Sequence, residues 1–128
     1  MPLTEGAQPT VLVAEDDPHI QLMIQRKLEI AGYKTRVTAN GNDALKMALE
    51  DVPSILLLDI MLPGRNGLEV CKQVKQELGS SAPPIIIVSA KGDPGDVRAG
   101  EEAGANDYVI KPFSPGELLR RIENLLHR

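Results

Sequence analysis

The chain has one cysteine, no tryptophan, one phenylalanine and two tyrosines among its 128 residues. A single thiol excludes an internal disulfide, and Cys71 falls inside an apolar helical pattern, so it reads as a packed core thiol rather than a redox or catalytic one. That usage suits a reducing cytosol, and cytoplasmic localisation is expected. No apolar run approaches the ~20 residues of a membrane-spanning helix. Met1 to Thr10 has neither the basic flank nor the hydrophobic centre of a signal peptide, so no membrane partner is expected. Acidic residues outnumber basic ones, 18 against 14, for a formal charge of −4, and no basic stretch is interleaved with aromatics. Direct nucleic-acid binding by this segment is therefore not expected; a link to DNA would run through a partner or a further domain. A chain of this length buries roughly two thirds of the surface its unfolded form exposes, enough for one core without disulfides or a structural metal.

Three short apolar runs, Thr10 to Ala14, Ile55 to Leu58 and Ile85 to Val88, are rich in Val, Ile and Leu and too short for helices. They read as strands buried on both faces. Tyr33 to Val37 and Tyr108 to Ile110 bring the strands to five. Between them lie helical patterns: Ile20, Met23, Ile24, Lys27, Leu28 and Ala31 share one face, as do Ala44, Leu45, Ala48 and Leu49, and then Leu68, Cys71, Val74 and Leu78. Asp17-Pro18 supplies a cap and first-turn proline for the first helix, Gly32 ends it, and Ser114-Pro115-Gly116-Glu117 reads as a capping box for the last. The first nine residues read as a flexible N-terminal tail. Strict β-α alternation predicts an α/β fold, a doubly wound parallel sheet with helices on both faces and its site at the carboxyl ends of the strands.

Polar groups fall just past those ends: Glu15, Asp16 and Asp17 after the first strand, Asp59 after the third, Ser89 after the fourth and Lys111 after the fifth. Neighbouring strands lie ~4.8 Å apart, so Glu15, Asp16 and Asp59 crowd like charges, a situation relieved by a shared proton or a bound cation. An all-oxygen cluster suits Mg²⁺, which takes one or two carboxylates and keeps several waters. Taken singly each group has a plain structural role. Capping explains Asp17 fully, Glu15 and Asp16 fit solvated loop acids, Ser89 a helix cap, and Lys111 a surface lysine. Their joint placement at successive strand ends is what carries information.

Four stretches then resemble the signatures of response-regulator receivers: Val11-Leu12-Val13-Ala14-Glu15-Asp16-Asp17; Leu57-Leu58-Asp59-Ile60-Met61-Leu62-Pro63-Gly64-Arg65-Asn66-Gly67; Val88-Ser89-Ala90; and Tyr108-Val109-Ile110-Lys111-Pro112-Phe113. The resemblance covers about residues 10 to 126 and makes residues 10–128 a receiver domain. It implies a flavodoxin-like five-stranded parallel sheet in the order 2-1-3-4-5 with five helices. It also implies that Asp59 accepts a phosphoryl group from a sensor histidine kinase or phosphotransfer protein while serving as a Mg²⁺ ligand. Asp16 is then a direct ligand, Glu15 a ligand through water, and Met61 a ligand through its backbone carbonyl. Lys111 neutralises charge on the transferring group, and Ser89 and Tyr108 form the switch. A cis peptide is implied at Lys111–Pro112. Such a protein catalyses its own Mg²⁺-dependent phosphorylation and a slow dephosphorylation without being a conventional turnover enzyme.

The output side resembles receivers of winged-helix transcription regulators, which dimerise through the fourth helix, fifth strand and fifth helix about a small apolar patch. Matching positions here carry Arg98, Glu101 and Arg120. Burying unpaired charges costs several kcal/mol, so a monomer or weak dimer is expected, with a downstream output protein or fused effector domain as partner. Gly95 and Gly100 weaken the fourth helix by up to ~1 kcal/mol each relative to alanine, and a mobile helix is expected there. The main alternative is the receiver portion of a longer DNA-binding transcription factor. A flavodoxin-like cofactor binder would need Ser, Thr and Gly after the first strand. A Mg²⁺-dependent phosphatase would need a proton donor where Met61 stands.

Overall fold

The computed structural model describes residues 8–127, so most of the expected N-terminal tail lies outside it. Five strands, β1 (Thr10–Ala14), β2 (Lys34–Thr38), β3 (Ile55–Leu58), β4 (Ile85–Ser89) and β5 (Asp107–Ile110), alternate with five helices, α1 (Pro18–Ile30), α2 (Gly41–Glu50), α3 (Gly67–Leu78), α4 (Pro94–Glu102) and α5 (Pro115–Leu126). A single 3₁₀ turn, Gly79–Ser81, follows α3. All strand pairs are parallel, in the order β2-β1-β3-β4-β5. The doubly wound sheet expected from the sequence is therefore present, with its strand order.

The two-residue period of the strands sorts the core into two layers. Val11 and Val13 of β1 and Ile55 and Leu57 of β3 pack with Ile24 and Leu28 of α1 and Leu118 and Ile122 of α5. Their neighbours Leu12, Ala14, Leu56 and Leu58 pack instead with Ala44 and Ala48 of α2 and Val70, Cys71 and Val74 of α3. Each fully buried Leu or Ile stabilises the fold by roughly 1.5–3 kcal/mol. Cys71 sits in this second layer, fully buried; burial pushes its thiol up to about 11, in keeping with a packing role.

Several local expectations are refined. β2 begins at Lys34, not Tyr33, because the Tyr33 N–H is spent on the Leu28 carbonyl at 3.0 Å while Gly32 N–H donates to Glu29 O at 3.1 Å. Those two bonds form a Schellman closure of α1, with Gly32 in the left-handed region at φ 99. The buried face of α1 is narrower than its periodicity suggests: Ile24 and Leu28 are buried, whereas Met23 and Ala31 reach solvent. Ser114 does cap α5, accepting from the Glu117 N–H at 3.0 Å. The reciprocal half of the capping box is replaced by an ion pair from the Glu117 carboxylate to Arg121 at 3.2 Å. Arg121 also reaches Asp107 at 2.8 Å and ties α5 to β5. In α4 the glycine at 100 has a packing reason: a Cβ there would lie 2.9 Å from Tyr108 Cδ2. No helix among the described residues is long and apolar enough to cross a membrane.

Candidate functional site

The acidic residues converge because parallel register carries β1 and β3 to the same level. Ala14 faces Leu58, and one step on, the Asp59 N–H donates to Ala14 O at 3.0 Å. Glu15 continues the other side of β1, its N–H donating to Thr38 O at 3.0 Å. Carboxylate oxygens of Glu15, Asp16 and Asp59 all lie within 4.8 Å of one another. Glu15 and Asp59 are buried, whereas Asp16 is exposed.

Lys111, just past β5, sends its ammonium between two of these acids, 2.8 Å from Glu15 Oε1 and 2.9 Å from Asp59 Oδ2. The peptide Lys111–Pro112 is cis. Burial pulls the Lys111 ammonium down, but hydrogen bonds and charge from Glu15 and Asp59 outweigh it and hold its pKa above the usual lysine value. Glu15 moves up as well, driven first by desolvation, against the hydrogen bonds from Lys111 and from the Asp17 N–H. One ammonium against three carboxylates leaves the cluster short of positive charge. The donor set is all oxygen and partly open to water through Asp16, so these residues fit a hard divalent cation.

After Asp59 the chain turns tightly. The Met61 N–H donates to Asp59 Oδ1 at 3.1 Å, and Leu62 is buried while the Met61 side chain stands 62% exposed. Gly64 turns at φ 83, and Gly41 N–H donates to Pro63 O at 2.9 Å, fastening the turn to the start of α2. Asn40 caps α2, accepting from Asn42 and Asp43 N–H groups. Arg65 adds a second clasp, with Nε donating to Asn42 Oδ1 at 3.0 Å and a terminal nitrogen to Gln73 Oε1 at 2.7 Å. Gly67, at the start of α3, lies flat against the Asp59 backbone carbonyl, where a Cβ would be 2.1 Å from the oxygen.

Ser89 ends β4 fully buried, and its Oγ accepts from the Lys91 N–H at 3.1 Å. Tyr108 directs its hydroxyl to the Lys91 carbonyl, so both residues grip the same turn between β4 and α4. Burial raises the Tyr108 phenol above the usual tyrosine value. Of the residues singled out in the sequence, Lys111 meets Glu15 and Asp59 directly, Asp16 brings a carboxylate oxygen within 4.8 Å of those of the two buried acids, and Met61 contacts Asp59 through its backbone. Ser89 and Tyr108 form a neighbouring pair, with no hydrogen bond to the carboxylates among the described residues. Asp17 caps α1, its Oδ1 accepting from His19 and Ile20 N–H groups at 2.9 and 3.2 Å. Gln21 carries no sign of a site role in the sequence, although its side-chain amide donates to the Glu15 carbonyl at 2.9 Å and the Thr38 carbonyl at 3.3 Å.

With this geometry in view, comparison with known proteins is specific. The family model described as "Response regulator receiver domain" matches residues 11–123. The "DNA-binding response regulator MtrA" of Mycolicibacterium smegmatis is 42% identical over 118 residues, 92% of this chain and 50% of that protein. The "Transcriptional regulatory protein ResD" of Bacillus subtilis is 39% identical over 118 residues, 92% of this chain and 48% of that protein. The chain thus spans about half the length of the curated relatives it matches. Among solved structures, the receiver domain of the Francisella response regulator 1452 has a TM-score of 0.88 at 33% identity, covering 94% of this chain and 98% of that one.

Proposed function

Since the chain belongs to the response-regulator receiver family, we propose that it is a phosphoacceptor switch in which Asp59 takes a phosphoryl group from a sensor histidine kinase or phosphotransfer protein. The observation that carries this reading is the buried Asp59 carboxylate held at 2.9 Å by Lys111 at the mouth of the acidic cluster. A carboxylate oxygen of Asp59 attacks phosphorus, the P–N bond to the donor histidine breaks with its electron pair going to the imidazole, and an acyl phosphate forms on Asp59. Lys111 stays charged throughout and opposes the negative charge on the phosphoryl oxygens. Asp59, Asp16, the Met61 carbonyl and, through water, Glu15 would hold Mg²⁺, which when bound supplies further positive charge to the transferring group. A shallow apolar groove of Ile20, Met23, Ala90, Pro112 and Phe113 leads to Lys111 and suits a protein donor.

In the phosphorylated form Ser89 turns its hydroxyl to the phosphoryl oxygens, Tyr108 moves inward, and the α4–β5–α5 surface changes for a downstream partner or fused effector. The names of MtrA and ResD favour an output at DNA through such an effector. Incubation with acetyl phosphate or phosphoramidate and Mg²⁺ should give one phosphoryl adduct by intact-mass measurement. Asp59→Asn should give none, and Asp16→Ala should lose the Mg²⁺ dependence with the fold kept. An undiminished adduct on Asp59→Asn would place the acceptor elsewhere.

Arg98, Glu101 and Arg120 are all exposed on α4 and α5. Desolvating them at the centre of a symmetric interface is unfavourable unless they pair across it. The protein bound to beryllofluoride is therefore expected to sediment as a monomer at micromolar concentration, or as a dimer that salt dissociates. A tight dimer indifferent to salt would contradict this.

A further inference from the structure

We propose that Gln21 is a positioning residue whose side-chain amide holds the peptide between Glu15 and Asp16 and so sets how tightly the acidic cluster binds a divalent cation. The inference rests on the phosphoacceptor reading and adds a residue to it.

Asp16 poses the problem. It is exposed, and among the described residues no hydrogen bond engages its carboxylate, yet that carboxylate lies within 4.8 Å of those of Glu15 and Asp59. Its placement therefore comes from the backbone on either side. On the C-terminal side the Asp17 N–H is held by Glu15 Oε2 at 3.1 Å, and Glu15 is itself fixed by Lys111 at 2.8 Å. On the N-terminal side the Glu15 carbonyl is held by Gln21 Nε2 at 2.9 Å, which also reaches Thr38 O at 3.3 Å. Two amide protons thus bridge the ends of β1 and β2 at the point where β1 gives way to the acidic loop.

The arm starts from a fixed base. Gln21 lies in the first turn of α1, its N–H bonded to Asp17 O at 2.9 Å, and that turn is locked by the Asp17 cap and Pro18. Both acceptors are backbone carbonyls, so the task needs a side chain that carries a donor and is long enough to reach them. An apolar side chain leaves the Glu15 carbonyl without this donor, and the alignment of Asp16 with Asp59 loosens. A half-buried glutamine among the apolar positions of α1 has no packing advantage that would explain it otherwise.

The test titrates Mg²⁺ alone into the full chain by isothermal titration calorimetry, for the native protein, Gln21→Met and Gln21→Arg. Outer partners of metal ligands typically change affinity 10- to 100-fold, and Gln21→Met is expected near the lower end, about ten-fold weaker. Gln21→Arg restores a donor and should recover most of the loss. Labelling by acetyl phosphate should need about ten-fold more Mg²⁺ to reach half its maximal rate in Gln21→Met, and close to the native concentration in Gln21→Arg. If Gln21→Met does not fold, the native Gln21 side-chain amide resonances should respond to Mg²⁺ with the same saturation as binding. A silent resonance there overturns the proposal. So does a Gln21→Met protein with lowered thermal stability but native Mg²⁺ affinity, which would make the residue merely structural. A native protein that binds no Mg²⁺ would strike the phosphoacceptor reading itself, a different result from native binding that Gln21→Met leaves untouched.

Discussion

Replacing Gly67 by alanine is expected to cost several kcal/mol of folding stability and to displace the Asp59 backbone. An alanine Cβ would lie 2.1 Å from the Asp59 carbonyl oxygen, 2.9 Å from its carbon and 3.1 Å from Ile60 Cα, all well inside van der Waals contact. These atoms are backbone, so no side chain can swing away. The carbonyl follows directly on β3, whose four residues are all buried, and Gly67 N–H itself donates to Ile60 O at 2.9 Å. Relief therefore requires moving either the end of a central strand or the start of α3, both packed in the core. Overpacking of this kind typically costs 1–3 kcal/mol and sometimes more. Against a total stability of roughly 5–15 kcal/mol that is a large share.

Gly95 and Gly116 supply the contrast. Both lie in helices, and a methyl group at either would meet nothing within 4 Å, so alanine there should be neutral or stabilise by up to about 1 kcal/mol. Urea midpoints for the three variants measure the difference. A Gly67→Ala midpoint close to the native one would show that the loop after Asp59 yields easily, and the tight packing inferred there would be wrong.

The same glycine shows where sequence reading reaches and where it stops. The strand ends are legible because buried parallel strands are short continuous apolar runs, and each is followed at once by a polar residue. Glu15, Asp16, Asp59, Ser89 and Lys111 can therefore be placed together from the sequence. Gly67 stands within a recognised motif, but its contact is with a carbonyl eight residues back, and the sequence pattern holds no sign of a backbone pressed against a backbone. Gln21 is hidden for a related reason: its acceptors, Glu15 O and Thr38 O, are main-chain groups. Arg65 needs the pairing of α2 with α3 before its partners Asn42 and Gln73 have any meaning. The Ser114 cap is legible because it is local. The fate of the Glu117 carboxylate is not, since Arg121 and its tie to Asp107 of β5 compete for it. Local chemistry is thus read well, and contacts between main-chain groups distant in sequence are not.

If Asp59 is the phosphoacceptor proposed above, the side chains of Met61 and Lys91 predict slow decay of the phosphorylated state without partners. Hydrolysis of an acyl phosphate on Asp59 needs a water in line with the phosphorus, and the resemblance to receivers implies that the side chains two places beyond Asp59 and beyond Ser89, Met61 and Lys91, flank that approach. Met61 is 62% exposed there, and its thioether is too weak an acceptor to orient a water. Lys91 is exposed as well, and its ammonium offers only donors. Its backbone is occupied on both sides, the N–H by Ser89 Oγ and the carbonyl by the Tyr108 hydroxyl. Neither residue can take a proton from the attacking water at neutral pH. An asparagine or glutamate at 61 would accept a hydrogen bond from that water and hold it in line. Positioned proton acceptors contribute typically 10²–10⁴-fold; a flexible exposed side chain should fall short of that range, at about ten-fold. Met61→Leu, which adds no acceptor, should decay at the native rate. Loss of the phosphoryl adduct is followed in purified protein after removal of the small phosphodonor, with Mg²⁺ present. Native decay within seconds, or equal rates for Met61→Asn and Met61→Leu, would remove these two positions from control of the lifetime. Slow native decay with a faster Met61→Asn would leave resetting of the switch to a kinase or phosphatase partner, because neither side chain flanking the approach can do it alone.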